Sequence, residues 1–523
     1  MEQKRRGRLW LSVLLASVMA ISAACSSSGA KDPQSTGEKA PANSAAAGGA
    51  KTPVKVVGLN CNATFDRKTP EEKHVHDIIQ EKTGADVNIV FSEAGQCVTK
   101  RNLMLSSGEQ LEFAEMSIAD AIQAYNDGVI LSLNELLDKY GANLKKNVVP
   151  AAFERVTYKN QILGIPIETP VITPNALQIR TDWLAKLNLT MPKTISDYEK
   201  ILEAFKTGDP DGNGKADTYA LSTGSGGNID MLEYVFAPFF MPAATEWWKD
   251  TDGKIKPPEL HPSYKEMMAK FIEWQKKGYI WPDMLLSTAP KQQELIAQNK
   301  AATVAATFSG TIVNAVEVLR KTVPDAKYVP VALEGKGINK LPASPAATSA
   351  WVIFKKNASP ETVMKYFDFQ ATPEGSDLVY FGVEGENYNR GANNTIEFIA
   401  EDKSDLSKAK YYAKYKTVFI NWPGKPVWSA NTWVHQEYNL KREQVNNLPR
   451  FEPIDAKVLY DNAKWKSFSK LTDLKTYWKE QKVKVFNGEI PVENWDNIVK
   501  KWLEIGGQQM IDDRNEQFAA AAK

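Results

Sequence analysis

Residues 53–59 (PVKVVGL), 69–84 (TPEEKHVHDIIQEKTG) and 85–92 (ADVNIVFS) decide the fold class. The first is a β-branched run and the last alternates as a strand does. Between them Thr69 is a capping residue, Pro70 occupies the first turn, and Gly84 is a stop, so the middle segment is a helix. A strand, a helix and a strand in this order form a βαβ unit of an open, largely parallel sheet. The same style continues with a helix over 98–107, a strand over 111–117 and a short helix over 119–126. Ligands of such sheets sit at the carboxyl ends of the strands, here the loops 60–66, 93–96 and 117–119. Asn60, Asn62, Asp66 and Glu93 are the binding candidates of these loops, although turn chemistry by itself also favours polar residues there.

Further along, NELLDKYG (134–141) is amphipathic and TYKNQILGIPIE (157–168) reads as a hairpin. A second lobe begins nearby. Its helices TDWLAKLNL (181–189), 195–206 and PSYKEMMAKFIEWQKKG (262–278) each carry one apolar face, with Ile195, Tyr198, Ile201, Leu202 and Phe205 at three- and four-residue spacing. NKAATVAATFSGTIVN (299–314) is a strand turning through glycine into a helix. WVIFKK (351–356) is a strand, and Ser359 caps the helix after it. The tail 493–521 is two helices broken at Gly506–Gly507, and no internal repeat is evident. The lobes are expected as 53–166 plus 351–420 and 167–350 plus 421–523, because ~470 residues exceed what one core covers.

The other end carries a different signal. Lys4, Arg5, Arg6 and Arg8 precede LWLSVLLASVMAISAA (9–24), a stretch shorter than the ~20 residues of a spanning helix and suited to a cleavable signal peptide. Ser22-Ala23-Ala24 before Cys25 is similar to a bacterial lipobox, with Ser22 where Leu is usual. Two readings follow: Cys25 carries a lipid, or it is a bystander to ordinary cleavage. Residues 25–52 are rich in Ser, Gly, Ala and Pro and read as a disordered tether, which favours the lipid anchor.

Loss of residues 1–24 removes four basic residues and one acidic residue, leaving 60 against 62 and a formal charge of −2. Nucleic acid is therefore not an expected partner. Beyond Cys25 only Cys61 and Cys97 remain, able to pair across the first βαβ unit or to stay free thiols.

Asp209-Pro-Asp211-Gly-Asn213-Gly-Lys215-Ala-Asp217 places oxygen donors at alternate positions with glycines between. That pattern lets a short loop wrap calcium, with Asp209, Asp211, Asn213 and Asp217 giving side chains and Lys215 its carbonyl. The EF-hand pattern is incomplete, since its twelfth position is Ala220; a metal-free Asp-Asn-Gly turn is the other reading. Trp183, Trp274, Trp495 and Trp502 lie on amphipathic helices and read as core. Trp247, Trp248, Trp281, Trp422, Trp428 and Trp433 sit among Pro, Gly, Asn and Lys, where exposed aromatic faces would suit sugar rings. No HExxH or G-x-S-x-G occurs, and 208–215 misses the phosphate-loop spacing, with Ala216 where Ser or Thr is required. The enzyme alternative is a surface glycosidase or lyase with paired carboxylates.

Several segments together, IRTDWLAKLNLTMPKTISDYEKILEAFKTGDPDGNGKADTYAL (179–221), YKNQILGIP (158–166), YFGVEGENY (380–388) and 487–518, resemble the extracellular solute-binding lipoproteins of carbohydrate ABC transporters. The likeness is to the branch of LplA-like and alginate-binding proteins. It implies a type II periplasmic-binding-protein fold, two α/β lobes joined by crossover strands and closing on a sugar without chemistry. It also implies permease subunits as partners, a monomer held by its lipid on the outer face of the cytoplasmic membrane, and a structural calcium. In that branch an acidic residue follows the last loop Asp, whereas this chain has Thr218. Glu384 and Tyr388 fall in the segment that the resemblance places near the inter-lobe region.

Overall fold

A computed structural model describes residues 52–61, 69–92, 96–168, 175–224, 226–307, 310–343, 345–399, 411, 415, 427–428 and 433–521. All of these lie in the unit that spans residues 51–523. Its two larger sheets are built from β1 (Val54–Asn60), β2 (Ala85–Phe91), β3 (Phe113–Ser117), β4 (Ile165–Glu168), β5 (Asn175–Arg180), β6 (Tyr219–Thr223), β7 (Ala301–Thr307), β8 (Tyr328–Val331) and β9 (Ala347–Ile353).

Sheet 1 has the order β2-β1-β3-β9-β4. β1 runs parallel to β2 and β3, while β9 is antiparallel to both β3 and β4. The helix Pro70–Thr83 that links β1 to β2 has the expected ends. Thr69 and Glu72 form a reciprocal capping box, and Gly84 closes the helix at φ 73°. Burial on both faces follows the period of two. Val56, Phe113, Trp351 and Ile353 face one core with Val75, Ile79, Val363 and Phe367. Val57, Leu59, Ala114, Met116, Ala350 and Val352 face the other with Met104, Ile118 and Ile122. Gly58 is needed because a Cβ there would meet the Phe113 ring at 2.1 Å. The expected hairpin forms between Thr157–Tyr158 and Gln161–Ile162, short of Pro166, which lies within β4 and is tolerated because β4 is the edge strand. Ser359 stands at the cap of Pro360–Gln370, but its side chain makes no capping bond.

Sheet 2 has the order β8-β5-β7-β6, with β5 antiparallel to β7 and β8, and β6 parallel to β7. Helices Ile195–Thr207, Asp230–Phe240 and Pro262–Lys276 bury Tyr198, Phe205, Phe236, Phe271 and Trp274 against it. The carboxyl-terminal helices Leu471–Phe486, Trp495–Trp502 and Gln508–Ala521 join this same core. Trp478 stacks on Trp495 and Trp502 at 5.7 and 5.2 Å, and Trp495 stacks on Tyr264 at 4.8 Å. The tail bends at Gly506, whose φ is 136°, and Gly507 lets the backbone lie against the Trp502 ring. Among the described residues no helix is long and apolar enough to cross a membrane.

One buried ionic cluster locks the tail in place. Lys482 Nζ lies 3.0 Å from Glu233 Oε2 and 2.8 Å from Glu259 Oε1, and the Tyr264 hydroxyl donates to Glu233. All four residues are buried. Burial disfavours the ammonium, but the two carboxylates more than offset this and hold its pKa well above the usual lysine range. Lys482→Met should strand two carboxylates in the core and cost about 3–5 kcal/mol. Urea unfolding followed by tryptophan fluorescence measures that loss.

Candidate functional site

The strand directions place the carboxyl edges of the two sheets. β1, β3 and β4 all point the same way, so Asn60, Ser117 and Glu168 end at one edge of sheet 1, and β9 enters there at Ala347, opposite Glu168. In sheet 2, β5 begins at Asn175 opposite Thr307, the last residue of β7, and Thr223 at the end of β6 pairs with Ala305. The chain passes from Glu168 to Asn175 and returns from Pro342 to Ala347. The first passage therefore joins the carboxyl edge of sheet 1 to the edge of sheet 2 where β6 and β7 end, and the second re-enters sheet 1 from the short strand Leu341–Pro342, which pairs with Arg450–Phe451. Open α/β sheets bind ligands just outside such edges.

In sheet 2 this edge carries a glycine turn that was not among the expected site residues. After Thr223 come Gly224, Gly226 and Gly227, the last two at φ 61° and 84°. Ser287 Oγ donates to the Thr223 carbonyl at 2.7 Å and Gly226 N to the Ser287 carbonyl at 2.7 Å, which ties the turn to the segment of Leu286, a side chain 83% exposed. Asn228 Oδ1 accepts from Asp230 N at the start of the next helix. The signal in the sequence was the GSGGN run directly after a strand, where backbone can approach a ligand closely.

The expected site residues divide. Asn60 is half-buried and its carbonyl accepts from Ser92 N at 3.0 Å, one step beyond the β1–β2 ladder. Asn62, Asp66, Glu93 and Trp422 lie outside the described residues, as do Cys25 and the expected signal peptide and tether. Trp428 belongs to a short strand, Val427–Trp428, and Trp433 opens the helix Trp433–Asn446. Glu384 and Tyr388 come together around Arg390, which donates to Glu384 Oε2 at 3.4 Å and to the Tyr388 hydroxyl at 3.2 Å. Arg390 also pairs with Asp377 at 2.9 Å. Tyr388 itself is buried beside Phe381, Ile396 and Phe398. Cys61 and Cys97 are joined in a disulfide with Cα atoms 5.4 Å apart.

Two of the expected sugar-facing tryptophans are core residues instead. Trp281 is 6% exposed and packs with Tyr219, Leu295 and Val304. Trp247 is 9% exposed, and Arg514 covers its ring at 4.3 Å while lying 4.2 Å from the Tyr460 ring. Their polar sequence neighbours misled, because the covering groups come from residues far along the chain. Trp248 is half-buried, donating from Nε1 to the Pro257 carbonyl at 3.2 Å and meeting His261 edge-on at 4.6 Å.

In the aspartate-rich loop, Asp209 accepts from the backbone of Gly212, Asn213 and Gly214. The Asn213 amide donates to Asp211 Oδ2 at 2.7 Å and to Asp217 Oδ1 at 3.0 Å. Lys215 N donates to Asn213 Oδ1. Among the described residues, no three His, Cys, Asp or Glu side chains converge as a metal site. The carboxyls nevertheless crowd: burial, Asp209 and Asp217 raise the pKa of Asp211.

The profile of the bacterial extracellular solute-binding proteins matches residues 63–377. The chain belongs to that family. The solute-binding chain is 23% identical over 484 residues to the polygalacturonan/rhamnogalacturonan-binding protein YtcQ of Bacillus subtilis (strain 168), covering 87% of this chain and 90% of that protein. To the lipoprotein LipO of the same organism it is 22% identical over 517 residues, 91% of this chain and 94% of LipO. A solved structure of the Streptococcus pneumoniae ABC-transporter substrate-binding protein FusA, an EF-hand mutant in complex with fructo-nystose, superposes with a TM-score of 0.66 at 21% identity, covering 90% of this chain and 99% of that one. The fold is thus the type II periplasmic-binding-protein arrangement, and the molecule is a solute-binding protein rather than an enzyme. The reading as a surface glycosidase or lyase is overturned by that membership.

Near Trp247, Glu246 is pressed by burial and by the Asp455 charge, against the attraction of Arg514, so its pKa lies above the ordinary value of 4.5. The folded state then holds the Glu246 proton more tightly than the unfolded state, and wild-type stability falls as pH rises above 4.5. Glu246→Gln should raise the melting temperature at pH 7.5, with the gain shrinking as pH falls through the raised folded-state value toward 4.5. Calorimetry across pH tests this.

Proposed function

We propose that this solute-binding protein is the carbohydrate-capturing subunit of an ABC importer, held by a lipid on Cys25 at the outer face of the bacterial cytoplasmic membrane. The observation that carries the reading is membership of the solute-binding family over residues 63–377, and the two strand-end edges are the proposed place where main-chain and polar groups meet one solute. The names of YtcQ and of the FusA complex supply the chemical class, an oligosaccharide. LipO supports the lipid anchor. The proposed lobes are 53–168 plus 347–420 and 169–346 plus 421–523; the expected boundaries at 166 and 350 move because β4 and β9 belong whole to sheet 1.

Binding does the work. Contacts made by both lobes favour the closed arrangement, and that arrangement docks on the permease, so solute affinity becomes a population shift. Asn60, Asn62, Asp66, Glu93, Trp248, Trp422, Trp428, Trp433 and Glu384 are the proposed ligand-side residues, whereas the buried Tyr388 holds Arg390 through its hydroxyl. Isothermal titration with galacturonan oligosaccharides, fructo-oligosaccharides and oligopeptides tests the class. Binding of one saccharide series with micromolar or tighter Kd is expected, and stabilisation by peptides alone would overturn it.

Calcium is proposed in the loop Asp209, Asp211, Asn213, Lys215 and Asp217. The donors are hard oxygens, and the Asn213 amide already draws Asp211 and Asp217 together in one turn. Bound calcium would pin the turn between Thr207 and Tyr219 and take no part in solute contact. Saturating calcium after chelation should raise stability by about 2.7 kcal/mol at a hundredfold excess over Kd. Thermal denaturation of Asp211→Ala, which should not respond, checks the assignment.

A further inference from the structure

Cys61 follows directly on Asn60, the last residue of β1, and Cys97 is the first residue of the helix Cys97–Ser107 that follows β2. Their disulfide spans 36 residues. β1 and β2 do not need it for alignment. Their ladder runs unbroken from Val54↔Ala85 to Asn60↔Phe91, and Ser92 N extends it to the Asn60 carbonyl.

The helix is the element that needs holding. Gln96 gives it no side-chain cap, and only Cys97, Arg101 and Met104 are buried, while Val98 and Leu103 are 51% and 62% exposed. Cys97 and Arg101 are four residues apart and share one face. The Arg101 guanidinium is buried and reaches Asp120 with Nη2 3.6 Å from Oδ2. Asp120 lies in the first turn of the helix Ile118–Asn126, whose cap is Ser117, the last residue of β3, with Asp120 N donating to Ser117 Oγ at 3.1 Å. A continuous chain of contacts thus runs Cys61, Cys97, Arg101, Asp120, Ser117. It links the ends of β1 and β3 along one edge.

We infer that the Cys61–Cys97 disulfide, acting through Arg101 and Asp120, is a positioning brace for the carboxyl edge of sheet 1, so that its redox state tunes solute affinity rather than strand pairing. This rests on the reading of that edge as ligand-facing. Two-electron reduction by a thiol or phosphine, giving two free thiols, releases the uncapped start of the helix, Arg101 loses its fixed place, and the start of the helix Ile118–Asn126 loosens with it.

Hydrogen–deuterium exchange and titration with fructo-nystose and galacturonan oligosaccharides test the brace on the full mature chain. Wild type is compared before and after the phosphine reductant TCEP, beside Cys61→Ser/Cys97→Ser and Asp120→Asn. Reduction or removal of the cysteines should speed exchange about tenfold or more over 97–107 and 118–126, leave 54–60 and 85–91 protected, and weaken sugar binding by about tenfold. Asp120→Asn should loosen 118–126 with the disulfide intact, and TCEP should not affect the Cys61→Ser/Cys97→Ser variant. Faster exchange spread through β1 and β2, unchanged exchange over 118–126, or unchanged affinity would each overturn the brace. If the oxidised protein binds no saccharide, the proposed function fails and the exchange pattern alone decides the brace.

Discussion

The Lys482 ammonium held between Glu233 and Glu259 is the interaction on which the second sheet's surroundings depend. Three charged groups out of water are costly unless each is paired, so the cluster is stable only with all members present. Its members come from the helix at 230–240, the turn at 258–260 and the helix at 471–486, and Tyr264 adds a hydroxyl from a fourth element. The carboxyl-terminal helices are thereby fixed to sheet 2, with the Trp478, Trp495 and Trp502 stack packed alongside. Dispersion and area burial would accept many arrangements of such aromatics; the ionic cluster accepts one.

With that side anchored, the geometry of the two edges follows. Sheet 1 takes strands from both ends of its sequence because β9 returns between β3 and β4, and this inserted strand brings the second crossover beside the first. Two adjacent passages constrain the sheets more than one would while leaving the strand-end loops free to vary. A solute-binding protein needs that combination: rigid sheets to present loops, and few covalent links between them. The segment 455–467 adds a non-covalent tie. Asp461 accepts from Asn126 and Tyr158 while its backbone pairs with the Gln517 amide, and Asp455 pairs with Arg514.

Much of this was legible in local sequence. The capping box at Thr69, the stop at Gly84, the period-two burial of β1 and β3 and the break at Gly506 depend on residues within a turn or two of one another, and each lies where local chemistry places it. The aspartate-rich turn also folds on itself through Asn213. Ser359 is the local exception: Asn357 Oδ1 accepts from Ser359 N, and the serine hydroxyl makes no cap.

What the sequence by itself determined was therefore the class of fold, its βαβ beginning, the core tryptophans on amphipathic helices and the likeness to solute-binding lipoproteins. Tertiary structure alone decided which other aromatics are covered and which polar groups meet. Trp247 looked exposed until Arg514 lay across it, and Trp281 until Tyr219 packed on it. Nothing near Lys482 in the sequence marks it for burial, since Glu233 and Glu259 lie more than two hundred residues away. Local propensity acts over a few residues, whereas burial and charge pairing are set by whatever the folded chain brings within ~4 Å.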